Sequence, residues 1–263
     1  MKESLEFYNQ FDEKLIKDYA SGNKRIVSAI QRLAQYIPSG EKINVLDIGC
    51  GLGWSTYEFS RFFKYAYFNG VDLSPVLIEN ANKLFQNDNL DYKVFDVTKK
   101  VPNKRYDAIV MIDVYEHIPK EERKKFHQSL FNILNPGGRI LLACPSAYHQ
   151  KYLKENNPQE LQPVDEDVDL TVMQQTAKNV EGEIIFFEYQ NIWRSFDYLY
   201  AVIQNNVAYN SSSLLKRKYT FRVEDQNTRV KRIKDRLNIT CELKSSDSKL
   251  LKIARKLKRK IFT

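Results

Sequence analysis

Nine consecutive residues, Val45-Leu46-Asp47-Ile48-Gly49-Cys50-Gly51-Leu52-Gly53, end an apolar run with a carboxylate placed two positions before the first of three alternating glycines. Glycines at that spacing allow a tight turn and let a ligand approach bare backbone. A dinucleotide loop, G-x-G-x-x-G, would seat a pyrophosphate at a helix N-terminus. Gly49 and Gly51 match its first two glycines, but the third falls on Trp54, and Asp47 would repel a pyrophosphate. The acid suits a ligand carrying an ammonium and a sulfonium. Asp72, Asp96 and Asp113 close the next three apolar runs. Asp72 stands where an acid accepts from both ribose hydroxyls. Asp96 is placed for an adenine amino group, and Asp113 for the reacting centre. Singly, each would serve as a cap or turn acid; four in register form a pattern.

These residues need a scaffold that gathers strand ends. Apolar runs at 43–48, 67–73, 92–95, 107–112 and 139–144 read as strands, with helices over 54–64, from Ser74-Pro75 onward, and over 119–134. Ser74 is an N-cap type and Pro75 a first-turn residue, and Asn135-Pro136-Gly137-Gly138 reads as a helix stop. The alternation predicts an α/β fold, a Rossmann-like doubly wound sheet that binds its ligand at the strands' carboxyl ends. Ile26, Ile30, Leu33 and Ile37 recur at helical spacing, so residues 1–40 read as a helical N-terminal cap ended by Pro38-Ser39-Gly40. Residues 41–204 form the core. Within it, 146–181 is polar and irregular and reads as an insertion or lid, and 183–189 and 196–203 read as closing strands.

With 43% apolar and 13% aromatic residues, the chain can bury one sizeable core and is not expected to be disordered wholesale. No apolar run nears the roughly 20 residues of a membrane-spanning helix. The acidic, polar start lacks the pattern of a signal peptide, so the expected location is the cytoplasm. Cys50, Cys144 and Cys241 lack metal-like spacing and read as free thiols in a reducing compartment. Residues 211–263 hold 17 Lys and Arg against 5 acids, while the rest of the chain is net negative. Residues 205–263 thus form a basic C-terminal extension. In 249–262, Leu250, Ile253, Ala254, Leu257 and Ile261 make one stripe among seven cations. Such an amphipathic helix can lie on an anionic inner-membrane surface as a peripheral contact, pack on the body, or meet nucleic-acid phosphate.

VLDIGCGLG, VDLS, FDVT, YDAIVMIDVYEHI and LNPGGRILLACP together resemble the successive motifs of class I S-adenosylmethionine-dependent methyltransferases, nearest to the ubiquinone-biosynthesis-type and bacterial sugar O-methyltransferases. The resemblance covers about 43–145 and extends loosely to 183–203. It implies a seven-stranded sheet with an antiparallel last strand, and S-adenosylmethionine as cofactor. By the same resemblance, Asp47, Gly49 and Gly51 line the methionine part, and Cys50 and Ile112 join the cofactor-binding set. Asp72 holds the ribose, Leu73 lies against the adenine, and Asp96 with Val97 meets its edge. An arginine of the N-terminal part, here Arg25, meets the cofactor carboxylate; the other reading is a plain surface arginine.

Transfer from a sulfonium is a direct displacement, governed by alignment of nucleophile, methyl and leaving sulfur. A hydroxyl acceptor must also lose a proton, and only three histidines exist to take it. His117, in Asp113-Val114-Tyr115-Glu116-His117, is the expected general base, with Asp113 beside it at the reacting centre. The alternatives are a loop-ordering histidine or a divalent-metal site of Asp113, Glu116 and His117. His127 is expected to face solvent, and His149 is a second base candidate. Phe7, Tyr8, Phe11 and Tyr19 are expected to close over the cofactor.

The leading expectation is O-methylation of a small-molecule or glycan hydroxyl. N-methylation of an amino sugar or amine is the nearest rival, because a neutral amine needs no strong base. Against an RNA methyltransferase, and so against a nucleic-acid partner, Ile112-Asp113-Val114-Tyr115 stands where the amino-methylating motif Asn/Asp-Pro-Pro-Tyr/Phe would be. A non-catalytic cofactor-binding scaffold is the remaining class.

Overall fold

The structure, a computed structural model, describes residues 11–38, 42–100, 102–206 and 221–241. Phe7, Tyr8, Ser39, Gly40 and the stripe in 249–262 lie outside the described residues.

Seven strands, β1 (Ile43–Ile48), β2 (Ala66–Asp72), β3 (Leu90–Val94), β4 (Tyr106–Ile112), β5 (Leu134–Pro145), β6 (Gly182–Gln190) and β7 (Tyr198–Asn205), form one sheet. Their order is β3-β2-β1-β4-β5-β7-β6. β1 runs parallel to β2 and β4, and β7 antiparallel to both β5 and β6. Successive side chains on a strand point to opposite faces. Val45, Ala108 and Leu141 accordingly join one apolar core, and Leu46, Ile109 and Leu142 the other. Strands buried on both sides read as unbroken apolar runs, which is why the sequence displayed them.

Helices flank the sheet: α1 (Asp12–Ser21), α2 (Lys24–Leu33), α3 (Trp54–Phe62), α4 (Pro75–Leu84), α5 (Lys120–Ile133), α6 (Ala147–Asn156), α7 (Leu170–Asn179) and α8 (Gln226–Leu237). The N-terminal cap is two helices, α1 and α2, and two expectations are corrected here. Gly22 turns the chain at φ +74°, and a Cβ there would lie 2.4 Å from Arg229 Nη2. Segment 146–181 is not irregular: it carries α6 and α7, and Met173, Thr176 and Ala177 of α7 are buried. Asn135-Pro136-Gly137-Gly138 does not separate helix from strand; β5 already runs through it, with a register shift between the pairs of Tyr106 and Ala108.

The extension at 205–263 also contributes to the body. α8 starts at Asp225, whose carboxylate accepts from Thr228 N at 3.1 Å. Buried Arg229 donates to Tyr19 O at 2.8 Å and to Glu224 O. Fully buried Glu58 of α3 accepts from Glu224 N at 2.9 Å. These bonds fasten the end of α1 and so fix where α2 begins.

Candidate functional site

The loop between β1 and α3 passes through positive φ at Gly49, Gly51 and Gly53. Asp47, 2% exposed, accepts from Ser55 Oγ at 2.6 Å and Thr56 Oγ1 at 2.7 Å, pinning the loop's start to the first turn of α3. Burial raises this carboxyl to about 6; the two hydroxyls oppose the rise and Asp72 adds to it. Asp47 thus shapes the loop from behind. Tyr92 supports the loop from below, donating to Gly53 O at 2.6 Å. Cys50 is a buried thiol that burial pushes well up, so it stays neutral.

Asp72 joins the end of β2 to this loop, accepting from Gly51 N and Ser74 N, both at 2.9 Å. Burial raises its carboxyl despite those bonds. Leu73 beside it exposes 39% of its surface as an apolar face. Asp96 is turned into its own segment. It accepts from Thr98 N at 3.0 Å and Oγ1 at 2.6 Å, and pairs with Lys99 at 2.7 Å. Partial burial works against it, but Lys99 and Thr98 hold its carboxyl below the ordinary value. Val97 and Ile112 are buried in the core.

Arg25 lies in the first turn of α2, where Asn23 caps the helix by accepting from Arg25 N at 3.0 Å. A cation is unfavourable at a helix N-terminus, and here Asp113 offsets it. Arg25 Nη2 stands 2.8 Å from Asp113 Oδ2, and Tyr198 OH donates to Asp113 Oδ1. The guanidinium lies 5.6 Å from the ring centres of Trp193 and Tyr198. Arg25 Nε is buried without a hydrogen-bond partner. Asp113 is followed by Val114, which would meet a Cβ on Gly49 at 2.4 Å, and the orphaned Arg25 donor fits the carboxylate of an amino-acid-bearing ligand. Leu15 of α1 would lie 3.3 Å from a Cβ on Gly51, so α1 covers the loop. Tyr19 instead packs into the core, edge-on to Trp54 at 5.3 Å.

Both nitrogens of His117 face acceptors. Nδ1 meets Val164 O at 2.6 Å and Asp165 Oδ1 at 3.2 Å, and Nε2 lies 3.7 Å from Glu116 Oε1. Burial opposes charge on this ring, but Glu116, Asp165 and Val164 O lift it to about 9. These acceptors favour the imidazolium form, which has no lone pair for a proton, and the ring orders the segment around Val164. Glu116 is fully buried with Oε2 unpartnered; burial lifts it to about 7, opposed by His117. Asp113 faces Arg25 and Tyr198 while His117 Nδ1 faces Val164, so Asp113 is not directed at the ring as Glu116 is. Among the described residues no group of three or more His, Cys, Asp and Glu could hold a metal ion.

His127 corrects the solvent-facing expectation: it is 2% exposed. Its Nδ1 lies 2.8 Å from Asn179 Nδ2 and its Nε2 2.8 Å from Tyr115 OH, which bonds Thr176 Oγ1 at 2.7 Å. An amide donor on Nδ1 assigns the ring's proton to Nε2. Burial and then Arg123 depress it to about 4. Sequence reasoning also passed over Tyr198, which an apolar strand run conceals. A shallow cleft of about 400 Å³ at Lys42, Lys64, Tyr65 and Tyr67 lies at the amino ends of the strands, away from these residues.

A family model described as "Methyltransferase domain" matches residues 17–180. Malonyl-[acyl-carrier protein] O-methyltransferase 1 of Ilyobacter polytropus is 27% identical over 48% of this chain and 46% of its own length. Norajmaline N-methyltransferase of Rauvolfia serpentina is 27% identical over 52% of this chain and 48% of its own. The chain thus spans about half the length of these curated relatives. Among solved structures, the N-methyltransferase NodS from Bradyrhizobium japonicum WM9 in complex with S-adenosyl-L-homocysteine superposes with a TM-score of 0.56 at 17% identity, covering 68% of this chain and 85% of that one. At that identity the likeness shows the fold.

Proposed function

Because the chain belongs to the methyltransferase-domain family, we propose that it is an S-adenosylmethionine-dependent methyltransferase that methylates a hydroxyl of a small-molecule or glycan acceptor. The observation that carries this reading is Arg25: a partly buried guanidinium whose buried Nε is unpartnered, held by Asp113 at the end of β4. Gly49 and Gly51, where a Cβ would meet Val114 at 2.4 Å and Leu15 at 3.3 Å, supply the tight turn for the methionine part. Asp72 has carboxylate lone pairs beyond its two backbone bonds for ribose hydroxyls, and Leu73 offers its exposed face to the adenine. When bound, the sulfonium cofactor supplies an electrophilic methyl group.

The protein's own part is alignment. Asp47 holds the loop's shape, α1 covers it, and the fixed position of Arg25 sets how deep a carboxylate can enter. His117 neutralises buried Glu116 and anchors Val164 and Asp165, which border the acceptor side. A second reading, an amine acceptor, is favoured by the carboxylates of Asp113, Glu116, Asp165 and Asp197 near that side.

Methyl transfer from tritiated S-adenosylmethionine to hydroxyl and amine acceptors tests both. Label on hydroxyl acceptors supports the first reading; label confined to amines replaces it with the second. Absence of affinity for S-adenosylhomocysteine overturns both.

A further inference from the structure

Resting on that reading, the geometry beyond β5 identifies the group that takes the acceptor's proton and the shape of acceptor it serves. Ser146 is wholly buried and caps α6, accepting from His149 N at 3.3 Å. The same hydroxyl donates to Phe196 O, and Ser146 N donates to Asp197 O at 3.2 Å. One buried serine therefore joins the helix turn that carries His149 to the loop between β6 and β7.

That loop is tied at every step. Asp197, 4% exposed, accepts from Ile192 N and Trp193 N at 2.8 Å and from Arg194 N at 3.0 Å. Asn191 Oδ1 accepts from Phe196 N at 2.7 Å, and Phe196 is held at φ +58°, a costly conformation for an aromatic residue. The tethering displays rings. Trp193 is 58% exposed, Phe196 50% and Tyr148 58%. Tyr148 lies 5.9 Å from Phe196, and Trp193 stands over Arg25. A fixed, strained loop that exposes aromatic faces beside buried charge is built to contact something.

His149, next in the chain to Tyr148, is half-buried, and its Nδ1 is buried without a hydrogen-bond partner. Burial, and next the Arg25 guanidinium on α2, hold the ring below its ordinary value. Asp197 before β7, Asp113 after β4 and Asp165 before α7 act in the opposite sense. Burial and Arg25 favour the neutral His149 ring, and its Nδ1 faces no partner, whereas both nitrogens of His117 face acceptors.

We propose that His149 Nδ1 is the general base for an acceptor whose hydroxyl is carried on a flat ring lying against Trp193, Phe196 and Tyr148. The hydroxyl's O–H bond breaks as its oxygen bonds the methyl carbon. The proton passes to Nδ1, and the electron pair of the breaking carbon–sulfur bond leaves with the donor's sulfur, which becomes a neutral thioether. Flat rings match aromatic side chains by offset or edge contacts.

The test uses the full chain. Calorimetry with S-adenosylhomocysteine comes first; if wild type gives no binding, the methyltransferase reading fails, independently of His149. Turnover is then compared on two ring hydroxyls, phenol, which is protonated at pH 8, and 4-nitrophenol, which is largely ionised there. In His149→Gln the phenol-to-nitrophenol rate ratio should fall about 100-fold, because only the protonated acceptor needs a base. In Trp193→Ala, KM for both should rise about fivefold. An unchanged ratio overturns the base. Binding of S-adenosylhomocysteine without transfer to either ring overturns the acceptor class. Histidine-selective 15N spectra, with only three rings to assign, give a readout free of turnover: an imidazolium signal for His149 at pH 7 overturns the base directly.

Discussion

Arg25 and Asp113 meet at 2.8 Å, joining the first turn of α2 to the residue that closes β4. The contact brings a helix N-terminus and a strand's carboxyl end together, and both partners are largely buried. Asp113 lies at φ +56°, so its backbone is bent to present the carboxylate. Removing one partner leaves the other charge buried and alone.

Arg25→Ala should therefore weaken S-adenosylhomocysteine binding by about 10- to 100-fold, a loss suited to one buried charge-assisted contact. Arg25→Lys should recover little, because a lysine ammonium cannot supply both the Asp113 contact and a guanidinium's second donor edge. Calorimetry on both variants measures this; equal affinity in Arg25→Ala contradicts the carboxylate role.

Asp47 predicts a stability that depends on pH. Its folded value, about 6, is raised from the ordinary 3.8. The stabilisation is full below about 4 and is lost as pH rises through 6, because the folded protein favours the protonated form. The difference is worth roughly 3 kcal/mol. Asp47→Asn should thus lower Tm most at pH 4 and least at pH 8. A Tm difference that does not vary with pH contradicts this.

His127 runs the other way. Its folded value of about 4 lies below the unfolded value near 6.5. The associated stability is present above 6.5 and lost as pH falls through 4. His127→Leu removes one hydrogen bond each from Tyr115 OH and Asn179 Nδ2, and should cost about 2–4 kcal/mol in urea unfolding at pH 7. It should leave S-adenosylhomocysteine affinity unchanged, since the network lies between α5 and α7.

His117→Asn removes the cation that holds Val164 and Asp165. The variant should be cleaved faster by protease within 157–169, a segment bounded by α6 and α7. Unchanged cleavage contradicts the anchoring role.

The sheet and the loop were legible because a parallel strand buried on both faces writes itself as an apolar run, and because a carboxylate before spaced glycines has few other uses. Boundaries held where turn residues are strong, as at Ser74-Pro75. The helices of 147–179 were hidden by polar exposed faces, although Asp169, whose side chain accepts from Val172 N at 2.9 Å, is an N-cap type in plain view. His127 was misplaced because mid-helix position was equated with exposure. Arg123, Phe126, His127, Leu130 and Ile133 form one inward stripe at spacings of three and four. Protonation was not legible at all. That His117 is pushed toward its charged form and His149 away from it depends on Glu116 and Asp165 beside the one, and on burial and then Arg25 at the other, surroundings that only the folded chain creates.

The central claim is that a sulfonium nucleoside donor is held between the glycine loop and Arg25. Titrating the full chain with S-adenosylhomocysteine in a calorimeter, with NAD as the comparison ligand, addresses it most directly. One saturable site for S-adenosylhomocysteine, weakened in Arg25→Ala, with no heat from NAD, is the predicted result. Silence toward S-adenosylhomocysteine, or saturable binding of NAD, would contradict it.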